Sequence, residues 1–590
     1  EREIPKLILT KNIYGLDIDD RAAQLAYFAV MMKARSYSRR IFREKIDLNI
    51  CSIQESNGFP KEAIDFFASS NEPLKEDVDY LINVFNDAKE YGSILEVKEI
   101  DFDAIERRVE EIRNSGTNDL FEFQYKNAIL DRIPYLVKQG KIMSSKYDVC
   151  VTNPPYMGRK GMTNRLTTFV DKNFANSKYD LFSVFMEKSF KILKAYRYSA
   201  MITMQSWMFL SSYEKLRKDF ILNKTFISQI QIGYNSFPGM NSQIAHATAF
   251  VLRNSLTQGY KSKFMNLNDQ SITADKNEVF VKKLHLNEFY SINAFEFFNI
   301  PGNTIAYWMS EQVSSIFKNS KKLSDIAMPR QGLATGDNER FVRLWYEVDC
   351  FKIGFGFSSN VVASNTEYKW FPYNKGGGFR KWYGNNLCVV DWYKDGRNIR
   401  EDKLYKLSIG ECLLSNSKPK NVQHYFKRGI TWSLISTFDF AARISEGGYV
   451  FDVGGSTVFP NEEDIFYLLS LMCSKVTFNL LKFIAPTINF QVGDIASIPI
   501  IFPEDDAVKT LIGKITKDNI EISQEDWNSY ETSWDFKLHP IIAHKENSKT
   551  IMKAFDNCLK HNSRQFAKLK ENEEKINKIF IDIYDLGGEL

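Results

Sequence analysis

Two consecutive prolines, Pro154 and Pro155, follow directly on the apolar run Lys146-Tyr147-Asp148-Val149-Cys150-Val151-Thr152. The run reads as a β-strand, and the prolines must end it, because each fixes its own φ and offers no N–H to a ladder. Asn153 therefore stands at the C-terminal mouth of a strand. Downstream, Asp180 to Lys194 carries Phe182, Phe185, Met186, Phe190 and Leu193 at helical spacing, and Ser199 to Ser206 is a further apolar strand. Upstream, residues 12–19 read as a short strand ending in the acids Asp17 and Asp19. A helix over 20–33 follows, with Asp20 available as its cap and Ala22, Leu25, Ala29 and Met32 as its inner stripe. Strands alternating with helices predict an α/β domain with a largely parallel sheet, whose ligand crevice lies at the carboxyl ends of the strands.

The chain has 590 residues, more than one hydrophobic core accommodates, so several domains are expected. The α/β pattern runs on through a strand at 245–252. Residues 40–145 read as a helical insertion. From about 320 to 505, glycines and aromatics punctuate short strand-like runs, and residues 506–590 return to charged helices. The expected division is 1–320, 321–505 and 506–590. With 44 % hydrophobic and 25 % charged residues the composition excludes disordered and fibrous classes, and no apolar run approaches the roughly 20 residues needed to cross a bilayer. A net charge of +4 permits a nucleic-acid partner without arguing for one. Cysteines 51, 150, 350, 388, 412, 473 and 558 form no C-x-x-C pair, which leaves a reducing cytoplasm and no structural metal as the expectation. The six histidines have no metal-ligand spacing and are read as structural.

Asn153-Pro154-Pro155-Tyr156 has the chemistry to act on an exocyclic amine. The adenine N6 lone pair is delocalised into the ring, so methylation requires acceptors that hold the amine as it pyramidalises and gains positive charge. The Asn153 amide oxygen and the Pro154 carbonyl are such acceptors, fixed in advance by the prolines. Tyr156 offers an aromatic face for a base flipped out of a duplex. The tetrapeptide could also be a plain turn; its place between an apolar strand and an amphipathic helix favours catalysis.

Asn153-Pro-Pro-Tyr is the signature of S-adenosylmethionine-dependent amino-methyltransferases. The longer strings Asn153-Pro-Pro-Tyr-Met-Gly-Arg-Lys-Gly-Met162 and Tyr14-Gly-Leu-Asp-Ile-Asp-Asp-Arg-Ala-Ala-Gln24 resemble the PglX methyltransferases of BREX phage-defence systems. So do Arg330-Gln-Gly-Leu-Ala-Thr-Gly-Asp-Asn338, Trp370-Phe-Pro-Tyr-Asn-Lys-Gly-Gly377 and Thr487-Ile-Asn-Phe-Gln-Val-Gly-Asp494. The resemblance implies a Rossmann-like class I methyltransferase core followed by a mixed, β-rich target-recognition domain and C-terminal helices. It also implies S-adenosyl-L-methionine as cofactor, and double-stranded DNA and other phage-defence proteins as partners. Within the core it implies that Asp17, with Ile18 beside it, binds the cofactor ribose hydroxyls and that Asp180 and Phe182 wall the cofactor pocket. Asp17 read by itself could equally be a helix-start carboxylate. The family's glycine-rich cofactor loop finds no room before Asp17. The chain therefore reads as a piece of a longer protein, expected to bind the cofactor weakly or not at all on its own.

In the second half, Lys369 to Tyr383 interleaves cations, aromatics and glycines, so that Lys375, Arg380 and Lys381 could reach phosphates; a solvated aromatic hairpin is the alternative. Arg330, Gln331, Asn338 and Arg343 can make bidentate base contacts. Gly454-Gly455 and Gly493 read as tight turns, since no Gly-Lys-Ser/Thr follows. Asp87 with Glu96-Val97-Lys98 loosely fits a metal-dependent nuclease. Beside the methyltransferase, the sequence leaves two other functions open: a DNA-recognition or scaffold module with an incomplete catalytic half, and a methyltransferase acting on RNA or protein glutamine.

Overall fold

The computed structural model describes residues 3–590 except 118, 238–245, 272, 412–413, 417, 437–438 and 486–488. Ala245 of the expected strand, Cys412, and Thr487-Ile488 of the last motif lie outside the described residues. The chain divides into two compact units, residues 1–208 with 212–295 and residues 209–211 with 296–590. The boundary thus falls near 295, and the helices of 506–590 belong to the second unit.

In the first unit, β1 (Tyr14–Asp17) pairs in parallel with β2 (Asn49–Ser52). β2 lies inside the stretch read as a helical insertion. That stretch otherwise forms helices Lys61–Ala68, Glu72–Val84, Phe102–Asn114 and Leu120–Ser144, packed around Phe67, Leu81, Phe85, Ile105, Ile133 and Leu136. A separate six-stranded sheet has the order β3 (Tyr147–Thr152), β4 (Leu193–Met204), β6 (Ala247–Arg253), β5 (Thr225–Gly233), β7 (Lys261–Asn266), β8 (Tyr290–Asn293). Only β3/β4 and β5/β7 are parallel, because the returning β6 inserts antiparallel between β4 and β5. The sheet is therefore mixed, where the alternating pattern predicted a largely parallel one. Trp207, fully buried, packs against Phe220, Phe226 and Phe250 on one sheet face.

The helix after β1 departs from its sequence reading. Its cap is Asp19, whose carboxylate accepts from the Arg21 N–H, and Asp20 is the first helical residue. The helix rests on Ala23, Tyr27, Val30, Met31 and Ala34, so the named stripe is turned outward and Leu25 is 68 % exposed. Two apolar faces compete on this helix, and the packed one centres on small Ala23 and Ala34.

The second unit holds two four-stranded sheets and a short ladder. β10 (Met328–Arg330), β17 (Thr457–Phe459), β14 (Gly429–Trp432) and β15 (Ala442–Ser445) are antiparallel throughout. β11 (Val342–Leu344), β13 (Cys388–Asp391), β12 (Trp370–Asn374) and β16 (Val450–Phe451) form the other sheet, and β9 (Lys321–Lys322) pairs with β18 (Pro499–Ile500). Trp392, Tyr425, Phe371 and Phe451 fill the core between them. Gly454-Gly455 serves a close backbone approach: a Cβ on Gly455 would stand 2.2 Å from the Asn374 carbonyl oxygen.

Candidate active site

β3 delivers Asn153 to the surface, and the prolines split their burial, Pro154 buried and Pro155 exposed. The Tyr156 hydroxyl donates to the Asn153 amide oxygen at 3.1 Å, which orients that oxygen and leaves its second lone pair available. Tyr156 stands edge-on to Phe182, with centroids 6.2 Å apart at 89°, and Phe237 lies 6.2 Å away. Burial pushes the Tyr156 hydroxyl up to about 12, with the nearby Asp180 carboxylate adding to the shift, so it stays a donor at neutral pH.

The chain beyond Tyr156 is tied down by Asp180. Its carboxylate accepts from the Met157 N–H at 3.0 Å and caps the helix Leu181–Ile192 through the Phe182 N–H at 3.3 Å. Burial raises the Asp180 carboxyl above its usual range, against the pull of these backbone donors. A bidentate pair from Arg159 to Asp171, at 2.7 and 2.9 Å, fixes the loop further on. Asn153 lines an open cleft of about 380 Å³ with Val151, Ala200, Ile202, Ile230 and Val251.

At the end of β1, the exposed Asp17 carboxylate accepts from the Asp19 N–H at 2.9 Å, and Ile18 is half exposed. Asp20 instead accepts from Gln54 and Lys89, at 2.9 and 3.0 Å; hydrogen bonds from Ser52, Lys89 and Gln54 hold its carboxyl down at about 2. Among the described residues, β1 pairs only with β2 and β3 only with β4. Between the open edges of β1 and β3 lies a slot of about 290 Å³ lined by Gly15, Leu16, Val149, Val151, Phe185 and Lys188. The Tyr14 and Tyr147 rings meet across it, 5.1 Å apart.

Residues 11–237 match the family described as Eco57I restriction-modification methylase. The chain is 34 % identical over 601 residues to the adenine-specific methyltransferase PglX of Lacticaseibacillus casei (strain Zhang), covering 100 % of this chain and 49 % of that protein. It is also 34 % identical over 607 residues to the adenine-specific methyltransferase BrxX of Escherichia coli O9:H4 (strain HS), covering 99 % and 47 %. By sequence the chain resembles these PglX-type methyltransferases along its whole length. It spans about half the length of these curated relatives. Among solved structures, the Type IIL restriction-modification enzyme MmeI in complex with DNA is similar at a TM-score of 0.47 and 13 % identity, over 74 % of this chain and 54 % of that one.

The residues singled out in the second half of this chain are dispersed. Arg330 ends β10, its guanidinium donating to the Pro329 carbonyl at 3.3 Å, and the Gln331 carbonyl accepts from Asn421 at 2.8 Å. Asn338 is exposed and accepts from Thr335 at 2.7 Å; Arg343 donates to the carbonyls of Glu339 and Val342. Lys375 is half-buried after β12. Arg380 pairs with Asp526 at 3.3 Å and lies over the Trp527 ring, while Lys381 pairs with Glu573 at 3.0 Å. Those last two cations therefore hold the loop against helices of their own unit.

The nuclease-like trio does not gather: Asp87 pairs with Arg165, Glu96 with Lys191, and Lys98 lies over Tyr80. Phe237 and Lys188 are site neighbours that sequence reasoning passed over. Phe237 lies 81 residues from Tyr156 with nothing in the pattern to join them. Lys188 did carry a signal, a cation three residues after Phe185 on an otherwise apolar helix face.

Proposed function

We propose that the chain is the catalytic and target-recognition part of a site-specific DNA adenine N6-methyltransferase that uses S-adenosyl-L-methionine to mark DNA in phage defence. The observation that carries this reading is the Asn153 amide oxygen, held by Tyr156 at the surface-exposed end of β3. Asn153 Oδ1 and the Pro154 carbonyl accept from the N6 amine, and Tyr156 stacks on the extruded adenine, an interaction of about 1–3 kcal/mol. Asp180 positions the loop through Met157.

The groups for the cofactor fit in part. Asp17 offers an exposed carboxylate beside the slot, suited to ribose hydroxyls, and a first unit of Rossmann-like class I type would add one more strand between β1 and β3, with its turn carrying the methionine part. When bound, S-adenosylmethionine supplies the electrophilic methyl group. Residues 321–505 supply target recognition in this reading, with Arg330, Gln331, Asn338, Arg343 and Lys375 as base or phosphate contacts. Other defence proteins are its partners.

A second reading, a recognition or scaffold module, is favoured by the open slot alone. The two separate in cells carrying the full-length gene or its Asn153→Ala variant: methylome sequencing is expected to find adenine methylation at a defined site only with the former. Unchanged methylation in the variant overturns the first reading.

A further inference from the structure

Three side chains far apart in sequence converge in the second unit. Glu525 sits in the last turn of the helix Asp506–Asn528, His544 directly follows the short helix Pro540–Ala543, and His561 lies on the long helix Ile551–Ile583. One ligand atom from each lies within 4.8 Å of the other two. His561 Nε2 is 2.9 Å from Glu525 Oε1, and the two imidazole rings are stacked, centroids 4.0 Å apart at 22°. The separations of 19 and 17 residues match no motif, so these histidines read as structural.

We propose that Glu525, His544 and His561 bind one zinc ion, fastening the connector 529–550 to the two long helices. Two imidazoles and a carboxylate form a donor set of intermediate softness that suits zinc and disfavours magnesium or calcium. Tetrahedral bonds of about 2.0–2.2 Å set ligand atoms roughly 3.4 Å apart. The three ligand atoms, within 4.8 Å of one another, need side-chain rotation to take up that spacing. The carboxylate is already oriented: Gln565, one turn beyond His561, donates to Glu525 Oε2 at 2.8 Å, leaving Oε1 toward the imidazoles, as outer partners of metal ligands do. Binding replaces the His561–Glu525 hydrogen bond with bonds from both groups to the ion. Glu525, His544 and His561 line one cleft together with Ser529, Tyr530 and His539, which would leave a fourth position for water.

The ion would also stiffen the helix end that holds the 379–383 loop, because Asp526 and Trp527, next to Glu525, carry Arg380. Equilibrium dialysis of the 590-residue chain against zinc chloride, followed by metal analysis, is expected to find one tight equivalent. His544→Ala, His561→Ala and Glu525→Gln should each weaken it tenfold or more, and Gln565→Ala by less. Cobalt substitution should give visible tetrahedral bands without the near-ultraviolet thiolate band that cysteine ligation produces. The zinc-minus-EDTA difference in unfolding midpoint, taken within each protein so that a variant's own instability cancels, should be positive for the wild type and near zero for the variants. No stoichiometric binding, a thiolate band, or histidine variants that retain wild-type affinity would overturn the assignment.

Discussion

The strands of the two units are clothed differently. In the second unit every residue of β12, β14, β15 and β17 is buried. In the first, β3 leaves Val149 55 % and Val151 73 % exposed, and both β1 and β3 present an edge without a strand partner among the described residues. Apolar side chains and unpaired edges left open together mark a surface shaped for another segment. These strands of the second unit are therefore closed to solvent, whereas in the first unit the strand that leads to Asn153 lies beside an opening.

The comparison breaks first where the second unit is densest. Trp432 ends β14 fully buried and donates its indole N–H to the Phe490 carbonyl at 2.9 Å. Trp432→Ala should cost about 3–5 kcal/mol, from the cavity and the lost hydrogen bond. Urea unfolding is the measurement, and a loss under about 1 kcal/mol would mean that the strands of this unit are not the closed core described.

Asn153 is the opposite case, exposed and expected to leave the unfolding midpoint unchanged. In the full-length protein, Asn153→Ala should lower the rate of methyl transfer to duplex DNA by roughly a hundredfold or more, the usual effect of removing one preorganised polar partner. Single-turnover transfer of labelled methyl is the readout. By the same contrast, the 590-residue chain is expected to bind S-adenosylmethionine weakly in calorimetric titration, because the slot beside Asp17 stays open.

Lys188 sharpens the comparison within the first unit. It lines the slot, is buried, and donates to the Leu95 carbonyl at 2.6 Å. Desolvation lowers its ammonium to about 8, against the pull of Glu96 and with a further push from Lys191 and Lys146. A lysine whose folded value lies below its unfolded one binds fewer protons folded than unfolded between those two values. Stability therefore rises with pH through that window, and the destabilisation is fully present below about 8. Relative to Lys188→Met, the wild type should gain about 1 kcal/mol of unfolding free energy between pH 7 and 9. Parallel curves for the two proteins would mean that the ammonium is hydrated in the slot.

How much of this was legible follows from the same physics. The Asn153 strand end was readable because proline chemistry acts locally, and the helix over 181–192 because its apolar spacing is strong. The antiparallel insertion of β6 was not, since strand order depends on long-range pairing that periodicity does not encode. β12 and β14 alternate nothing, being buried on both faces, so the second unit gave texture without topology. The helix after β1 carried two apolar faces, and the sequence could not rank them. Lys375, Arg380 and Lys381 were found as cations; that two of them pair with Asp526 and Glu573, some 150 to 190 residues on, lies beyond any local pattern.

That pairing sets the smallest effect. Arg380 has an ion pair of 3.3 Å to a well-exposed Asp526 and a face on Trp527 at 4.8 Å, a combination of about half a kcal/mol to 1 kcal/mol in the folded chain. If its role is to hold the loop, Arg380→Ala lowers stability by that amount and leaves the salt dependence of DNA binding unchanged. If it leaves Asp526 to meet a phosphate, the slope of log affinity against log salt falls by about one unit, since one fewer counterion is released. Lys375, half-buried after β12 and outside these ion pairs, is the control: Lys375→Ala should reduce that slope without moving the unfolding midpoint. The helix-facing geometry favours the first outcome for Arg380, so the recognition surface of the second unit is expected at Arg330, Gln331, Asn338, Arg343 and Lys375 rather than along the whole 369–383 loop.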